Sequence, residues 1–267
     1  MKKALLLFWT LLMLPAMSLA QEWTQPVIPE PYDYAYQDEN RSIVIDKITE
    51  DNSTCFVADV QISDVSSFHT AQFGDGQISD QAAQNGAVLA INADNYAVYD
   101  YGVIIRDGQL LRAHDTTRHM LALLPDGSLR TVSDRKANTP KQLSRQLMQD
   151  GALATFEFGP VPVINGQAAS FSKTFDVIST RESRREPHTA IGMIASLHYL
   201  VIVVDGRQSG YSEDMSLQAL QQMFVRYGAQ TAINLDGGGS TEMWFQGQVI
   251  SSPSGGKERY VSDMIWW

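Results

Sequence analysis

Apolar positions gather in short runs along most of this chain. From Ser42 onward, segments rich in Val, Ile, Thr and Phe cover 43–48, 54–62 and 87–91, each bounded by polar or glycine-containing sequence. That pattern predicts β-strands. A short polar helix is expected at 79–84. Asp107-Gly108 joins the apolar segments 102–105 and 110–113, and Asp126-Gly127 joins 119–124 and 129–132. Both predict hairpins, because such turns need the positive φ that glycine takes freely.

Helical spacing occurs twice. Residues 139–149 carry Leu143, Leu147 and Met148 on one side, with Pro140 near the start and Gly151 just past the end. Residues 216–227 place Leu217, Leu220, Phe224 and Tyr227 on one face, with Ser216 as N-cap and Gly228 as left-handed C-cap. Further strands are expected at 200–204, 231–235, 243–245 and 260–266. Trp244 and Phe245 are adjacent in one of these, so they face opposite sides, one in the core and the other against a helix. Trp266 and Trp267 are expected to seal a sheet edge. Residues 152–187 carry no clear period; Gly159-Pro160 and Pro162 are followed by a polar, arginine-rich stretch (Arg181, Arg184, Arg185) that is expected to be a mobile loop. No Pro/Gly/Ser linker divides the chain, so 42–267 is expected to form one α+β domain of mixed and antiparallel sheets with flanking helices.

Composition narrows the possibilities. The 267 residues are 44% hydrophobic and 19% charged, which excludes an intrinsically disordered chain. Thirty acidic residues against 20 basic ones give a net charge of -10. Such a surface repels phosphate backbones and anionic lipid, which argues against nucleic acid as a partner and against peripheral membrane attachment.

At the N-terminus, Lys2 and Lys3 precede an apolar run over 4–16 that closes on Ser18, Leu19 and Ala20. This is the pattern of a secretory signal over 1–20, cleaved after Ala20 and followed by an extended Pro- and Tyr-rich leader over 21–41. The run is too short to predict a stable membrane span. Cleavage leaves 18 basic residues against 30 acidic ones, a net charge of -12, on a protein expected in the periplasm or outside the cell. Cys55 is single, so neither an internal disulfide nor a thiolate zinc cluster can form, and its apolar surroundings predict a buried, inert thiol. His114 and His119 lack the acidic partners and spacing of a zinc site.

The sharpest motif is Asn234-Leu235-Asp236-Gly237-Gly238-Gly239-Ser240. Three successive glycines allow positive φ and close approach of a ligand, so their N–H groups are candidates for an anion-binding nest. No Gly-Lys-Ser/Thr follows, which excludes a P-loop. The segment beyond is strand-like, which excludes a dinucleotide turn, and Ser240 lacks the second glycine of a nucleophile elbow.

This run, together with Thr189-Ala190-Ile191-Gly192, Val204-Asp205-Gly206-Arg207-Gln208, Ser252-Pro253-Ser254 through Arg259 and the upstream Ala90-Ile91-Asn92-Ala93, resembles the phosphodiester glycosidase family, which includes the mannose-6-phosphate uncovering enzyme. The similarity spans roughly 86–267, with 133–180 poorly matched. The chain departs from the family pattern in two places. Asp94 and Asn95 stand where small residues are usual, and His188 stands where Arg is frequent.

The resemblance implies hydrolysis of a sugar-1-phosphate diester, the substrate partner being a phosphorylated glycan. Because phosphate is already a good leaving group, such a site needs a carboxylate to activate water or stabilise the oxocarbenium-like centre, and donors for the departing phosphate. Asp236 is the first candidate carboxylate, with Asp205 and Glu242 as alternatives. Gly237, Gly238, Gly239, Ser240, Arg207 and Arg259 are candidates to hold phosphate, with His188 beside Thr189, or else Arg184 or Arg185, in the place of the family's Arg. Asn92 and Asn234 are candidates to bind sugar hydroxyls or orient Asp236. No cofactor is firmly implied; a calcium or magnesium ion on Asp236 or Asp205 is left open. Two rivals share these residues: a non-catalytic glycan-binding protein and a phosphodiesterase that cuts P–O.

Overall fold

The computed structural model describes residues 22–98, 100–115, 118–132, 139–171 and 185–267. The signal-like segment 1–20, together with Arg181 and Arg184, lies outside the described residues. An eight-stranded antiparallel sheet dominates, in the order β1 (Tyr34–Gln37), β2 (Arg41–Glu50), β3 (Ser53–Ile62), β15 (His198–Val204), β14 (His188–Ala195), β17 (Thr231–Asn234), β11 (Val163–Ile164), β12 (Gln167–Ala168). A second, five-stranded sheet runs β19 (Gln248–Val249), β18 (Met243–Phe245), β5 (Leu89–Asn92), β20 (Val261–Trp266), β4 (His69–Gly76). Three smaller sheets are β10 (Ala154–Phe156) with β8 (Met120–Leu123) and β9 (Leu129–Val132), the hairpin β6 (Val103–Arg106) with β7 (Gln109–Ala113), and β13 (Arg185–Glu186) with β16 (Met215–Ser216). Against these twenty strands stand, among the described residues, three α-helices, α1 (Ile78–Asn85), α2 (Pro140–Gln149) and α3 (Leu217–Arg226). The fold is therefore more β-rich than the expected balance of sheet and helix.

Both faces of the large sheet are covered, and the sequence shows why. All ten residues of β3 and all seven of β15 are buried. Their apolar runs do not alternate strictly, as expected of strands packed on two sides. One face carries Ile43, Phe56, Val60, Val201 and Ile233 against Leu89, Ile91, Met243, Phe245 and Ile265 of the five-stranded sheet. The other packs Val57, Cys55, Leu200 and Ile202 under Leu220, Met223 and Phe224 of α3 and under Ile28 of the leader. Cys55 is fully buried and desolvation pushes its thiol up to about 12, an inert side chain.

Local signals place most elements. Asp107 at φ 49° and Gly108 at φ 70° form the two-residue turn of the β6–β7 hairpin. Thr139 and Gln142 close a capping box on α2, and Ser216 caps α3 by accepting from the Ala219 N–H at 3.2 Å. Trp244 and Phe245 do face opposite ways, Phe245 into the main core and Trp244 toward Ile78 and Ala82 of α1. Trp267 does not seal an edge. Strand β20 lies between β5 and β4, so Trp267, the residue that follows it, falls in the core at 0% exposure, while Trp266 stacks on His69 with ring centroids 4.0 Å apart. The leader likewise joins the fold, because Val27 donates its N–H to Asp59 at 2.7 Å and Tyr34–Gln37 pair with β2.

Gly192, in β14, sits where the large sheet meets α3. A methyl group there would fall 2.8 Å from the Thr231 carbonyl oxygen and 2.9 Å from the Phe224 ring. Gly192→Ala is expected to cost about 2 kcal/mol through overpacking alone, read as a lower urea midpoint with unchanged slope. An unchanged midpoint would contradict this packing.

Candidate functional site

Strand β17 delivers the chain to the glycine run between the two larger sheets. Leu235 donates its N–H to the Thr189 carbonyl at 2.8 Å, and Asp236 donates its N–H to the Ala93 carbonyl at 3.1 Å. The first bond faces β14 in one sheet and the second faces the segment leaving β5 in the other. Gly237 follows, and Gly238–Ser240 make one 3-10 turn.

Each glycine has its own steric reason. A methyl at Gly237 would stand 2.6 Å from the Pro187 carbonyl oxygen, one at Gly238 2.9 Å from the Arg207 guanidinium, and one at Gly239 2.7 Å from the Arg259 Cδ. Gly238 also takes φ 63°. The run is thus bare so that two arginines can lie on it. An open nest of three N–H groups does not form, because the Gly238 N–H donates to Pro187 at 2.9 Å and the Ser240 N–H to Gly237 at 3.2 Å.

The two arginines are held differently. Arg207, at φ 57°, donates its backbone N–H to Asp214 at 2.8 Å and pairs its guanidinium with Glu186. Arg259 is exposed and acts on Asp236 through its charge. Asp236 is half-buried. Burial raises its carboxyl above the usual range, opposed by the Ser240 hydroxyl, the Gly237 N–H, the Arg259 charge and the Asn95 amide.

The other two candidate carboxylates turn inward. Asp205 is 1% exposed and accepts from the Ser252 N–H and the Tyr211 hydroxyl, both at 2.9 Å. It ties the segment bearing Arg207 to the one leading to Arg259, and with both oxygens engaged it is a poor cation ligand. Glu242 is 2% exposed, and burial together with Glu258 pushes it up to about 10, so it is uncharged at neutral pH. Glu258 is in turn anchored on α1 by the Ser79 N–H at 3.0 Å and its hydroxyl at 2.6 Å.

The expected sugar- and phosphate-binding residues are also redistributed. Asn92 is 1% exposed and uses its amide within the protein, donating to the Asp236 carbonyl at 2.6 Å and accepting from the Thr189 hydroxyl at 2.6 Å and the Glu242 N–H at 3.1 Å. His188 does not reach outward to take the place of the family's Arg. Its ring is buried, with Nδ1 at 3.0 Å from Asn234 Oδ1 and Nε2 at 2.9 Å from the Met215 carbonyl. Desolvation lowers its pKa while both oxygen partners favour added protons. Asn234 is fixed in that orientation because its amide N–H groups donate to the Gly159 carbonyl at 3.0 Å and to its own neighbour Leu235 at 3.1 Å. Arg185 likewise binds protein, at Asp51 and the Asp214 carbonyl. So Asn92, Thr189, Asn234, His188 and Asp205 form the support, while Asp236, Arg207, Arg259 and the glycine turn form the accessible surface.

Sequence reasoning passed over a buried ion triad next to this surface. Arg106 contacts Asp94 at 2.7 Å and Asp263 at 2.9 Å, with all three side chains fully buried. An arginine ending the apolar run Val103–Arg106, immediately before the Asp-Gly turn, was the available signal. Among the described residues, no group of three or more His, Cys, Asp or Glu side chains stands in position to hold a metal ion.

The sequence model of the phosphodiester glycosidase family matches residues 82–266, more than half of the chain. The chain belongs to this family. A Bacillus subtilis (strain 168) protein, the uncharacterized SPbeta prophage-derived YomE, is 28% identical over 192 residues, which are 69% of this chain and 28% of that protein's length. The chain thus spans under a third of the curated relative that it matches. Among solved structures, the zebrafish N-acetylglucosamine-1-phosphodiester alpha-N-acetylglucosaminidase catalytic domain, auto-inhibited by its pro-peptide, superposes with a TM-score of 0.65 at 20% identity, covering 85% of this chain and 82% of that one. A hypothetical protein from Synechocystis gives 0.62 at 14% identity, over 85% and 62%. At these identities the likeness shows a shared fold.

Asp205 gives this family site a pH signature. Burial pushes its carboxyl up to about 6, against the Ser252 and Tyr211 hydrogen bonds and the Lys47 charge. Between about pH 4 and 6 the folded state holds a proton that the unfolded chain has released, so stability falls as pH rises, by at most about 3 kcal/mol. Asp205→Asn should flatten that slope and raise stability at pH 7, as read by urea unfolding across this range. An undiminished slope in the variant would contradict the assignment.

Proposed function

We propose that this protein is an exported hydrolase that cleaves the anomeric C–O bond of a sugar-1-phosphate diester, with cell-envelope or extracellular glycopolymers as its natural substrates. Family membership supports the reaction class, and the signal-like N-terminus supports export. The observation that carries the reading is the half-buried Asp236 carboxyl beside Arg259, with Arg207 and Arg259 lying on Gly238 and Gly239.

Chemically, this surface provides the two things such a reaction needs. When the anomeric C–O bond of the diester breaks, the departing group is a phosphate monoester, which leaves readily without a strong acid, so the proton of Glu242 is not required at the leaving group. The arginines and the remaining turn N–H groups take up charge as the phosphate leaves, in a partly desolvated place where such contacts count for more. Asp236, in its ionised form, stabilises the oxocarbenium-like sugar or deprotonates the water that attacks it.

Asp236→Asn is expected to lower release of free sugar from a sugar-1-phosphodiester by at least about a thousandfold with an unchanged melting temperature. Arg207→Ala and Arg259→Ala should each raise KM about tenfold, since each removes one charge from the phosphate contact. These are read by a reducing-sugar assay on the purified protein. Tight binding of such a glycan without any turnover by the wild type would favour the non-catalytic alternative, and a fully active Asp236→Asn protein would remove this carboxylate from the reaction.

A further inference from the structure

Asn95 sits where the sequence departs from the family pattern, three residues after Asn92. Its backbone is left-handed, at φ 55°, a conformation that asparagine tolerates better than most side chains. Its N–H donates to Asp263 Oδ1 at 2.9 Å. Asp263 belongs to the buried triad, where Arg106 holds it together with Asp94. Asp94 uses its other oxygen to accept from the Glu157 N–H at 2.8 Å. Arg106 donates further to the carbonyls of Ile105, at 3.0 Å, and Thr155, and lies 5.3 Å from the ring centroids of both Tyr96 and Phe156.

Buried charge of this kind is a poor source of net stability but is costly to disrupt, so it serves well as a rigid footing. From that footing Asn95 turns its side chain to the site. The amide Nδ2 donates to Asp236 Oδ2 at 3.3 Å. The amide carbonyl, Oδ1, is buried with no hydrogen-bond partner among the described residues. An unpaired buried acceptor is unfavourable unless something fills it, and this one stands beside the carboxylate assigned to the chemistry.

We propose that Asn95 is a further residue of the reacting centre: its NH2 group positions the Asp236 carboxylate, and its side-chain carbonyl accepts a hydroxyl of the bound sugar. This rests on the hydrolase reading of the site. The Asn95 pair with Asp236 is distinct from the arginine face, so the two halves of the substrate are recognised by different elements: the sugar by the segment after β5, the phosphate by the glycine turn and its arginines. The charged group facing Asp236 directly is Arg259; Asp263, Asp94 and Arg106 stand behind Asn95.

Two variants separate the roles. Asn95→Asp keeps an acceptor but replaces the donor with a second carboxylate next to Asp236, which makes Asp236 harder to ionise. The acid limb of the kcat/KM profile is expected to move up by about one pH unit, with KM on the plateau unchanged. Asn95→Gly suits φ 55° without strain and removes both groups. It should also shift the limb upward, by less, and raise KM about tenfold. Equal losses in kcat at every pH, with KM and the limb unmoved, would show a merely structural residue and overturn the proposal. A second readout does not depend on turnover: the 13C carboxyl titration of Asp236, assigned by its loss in Asp236→Asn. Its midpoint should rise in both variants even if no sugar phosphodiester is hydrolysed by the wild type, an outcome that would sink the hydrolase reading alone. A midpoint unchanged from wild type in both variants would overturn the positioning role.

Discussion

One buried amide holds the site to the fold. Asn92 lies at the end of β5 in the five-stranded sheet, and its side chain reaches the Thr189 hydroxyl on β14 of the eight-stranded sheet, the carbonyl of Asp236 and the N–H of Glu242. It thus links both sheets, the entry to the glycine run and its exit in a single residue. Removing it would leave a buried N–H, a hydroxyl and a carbonyl without partners, at about 1–3 kcal/mol for each that found no replacement. Everything at the site is placed relative to this clamp: the run emerges from β17, turns over Gly237 and Gly238, and returns to β18 within eight residues of Leu235.

With the backbone so fixed, the charges can be sorted by depth. Asp205 and Glu242 are buried and carry raised pKa values, which suits them to hold loops together and unsuits them to react with a solvent-borne substrate. Asp236 alone of the three keeps access. Beside it the glycines admit two guanidinium groups to the backbone, that of Arg207 paired with Glu186 and that of Arg259 exposed.

Much of this architecture was legible beforehand. Helices α2 and α3 announced themselves through caps and spacing, and Asp107-Gly108 marked its hairpin, because those signals act over a few residues. Strand β4 was not legible: His69–Gly76 is largely polar and only partly buried, and it forms by pairing with β20, almost two hundred residues away. The motif around Asp236 was visible, but the inward roles of His188, Asn92, Thr189 and Asn234 were not. Sequence shows that a polar residue is present near a site; only packing shows which of its atoms are already engaged. The same limit hid the Arg106 triad, whose members at 94, 106 and 263 share no local pattern. For the glycine run, the identity of the residues was informative while the reason differed: room for arginine side chains, with only part of the turn's N–H groups left for an anion.

The central claim is that a carboxylate–arginine surface breaks the sugar's bond to oxygen. It is tested most directly by running the wild-type hydrolysis of a sugar-1-phosphodiester in 18O-labelled water and locating the label by mass spectrometry. Attack at the anomeric carbon puts the label in the released sugar and none in the phosphate, which is the result expected here. Label in the phosphate, with none in the sugar, would mean P–O cleavage and would contradict the account.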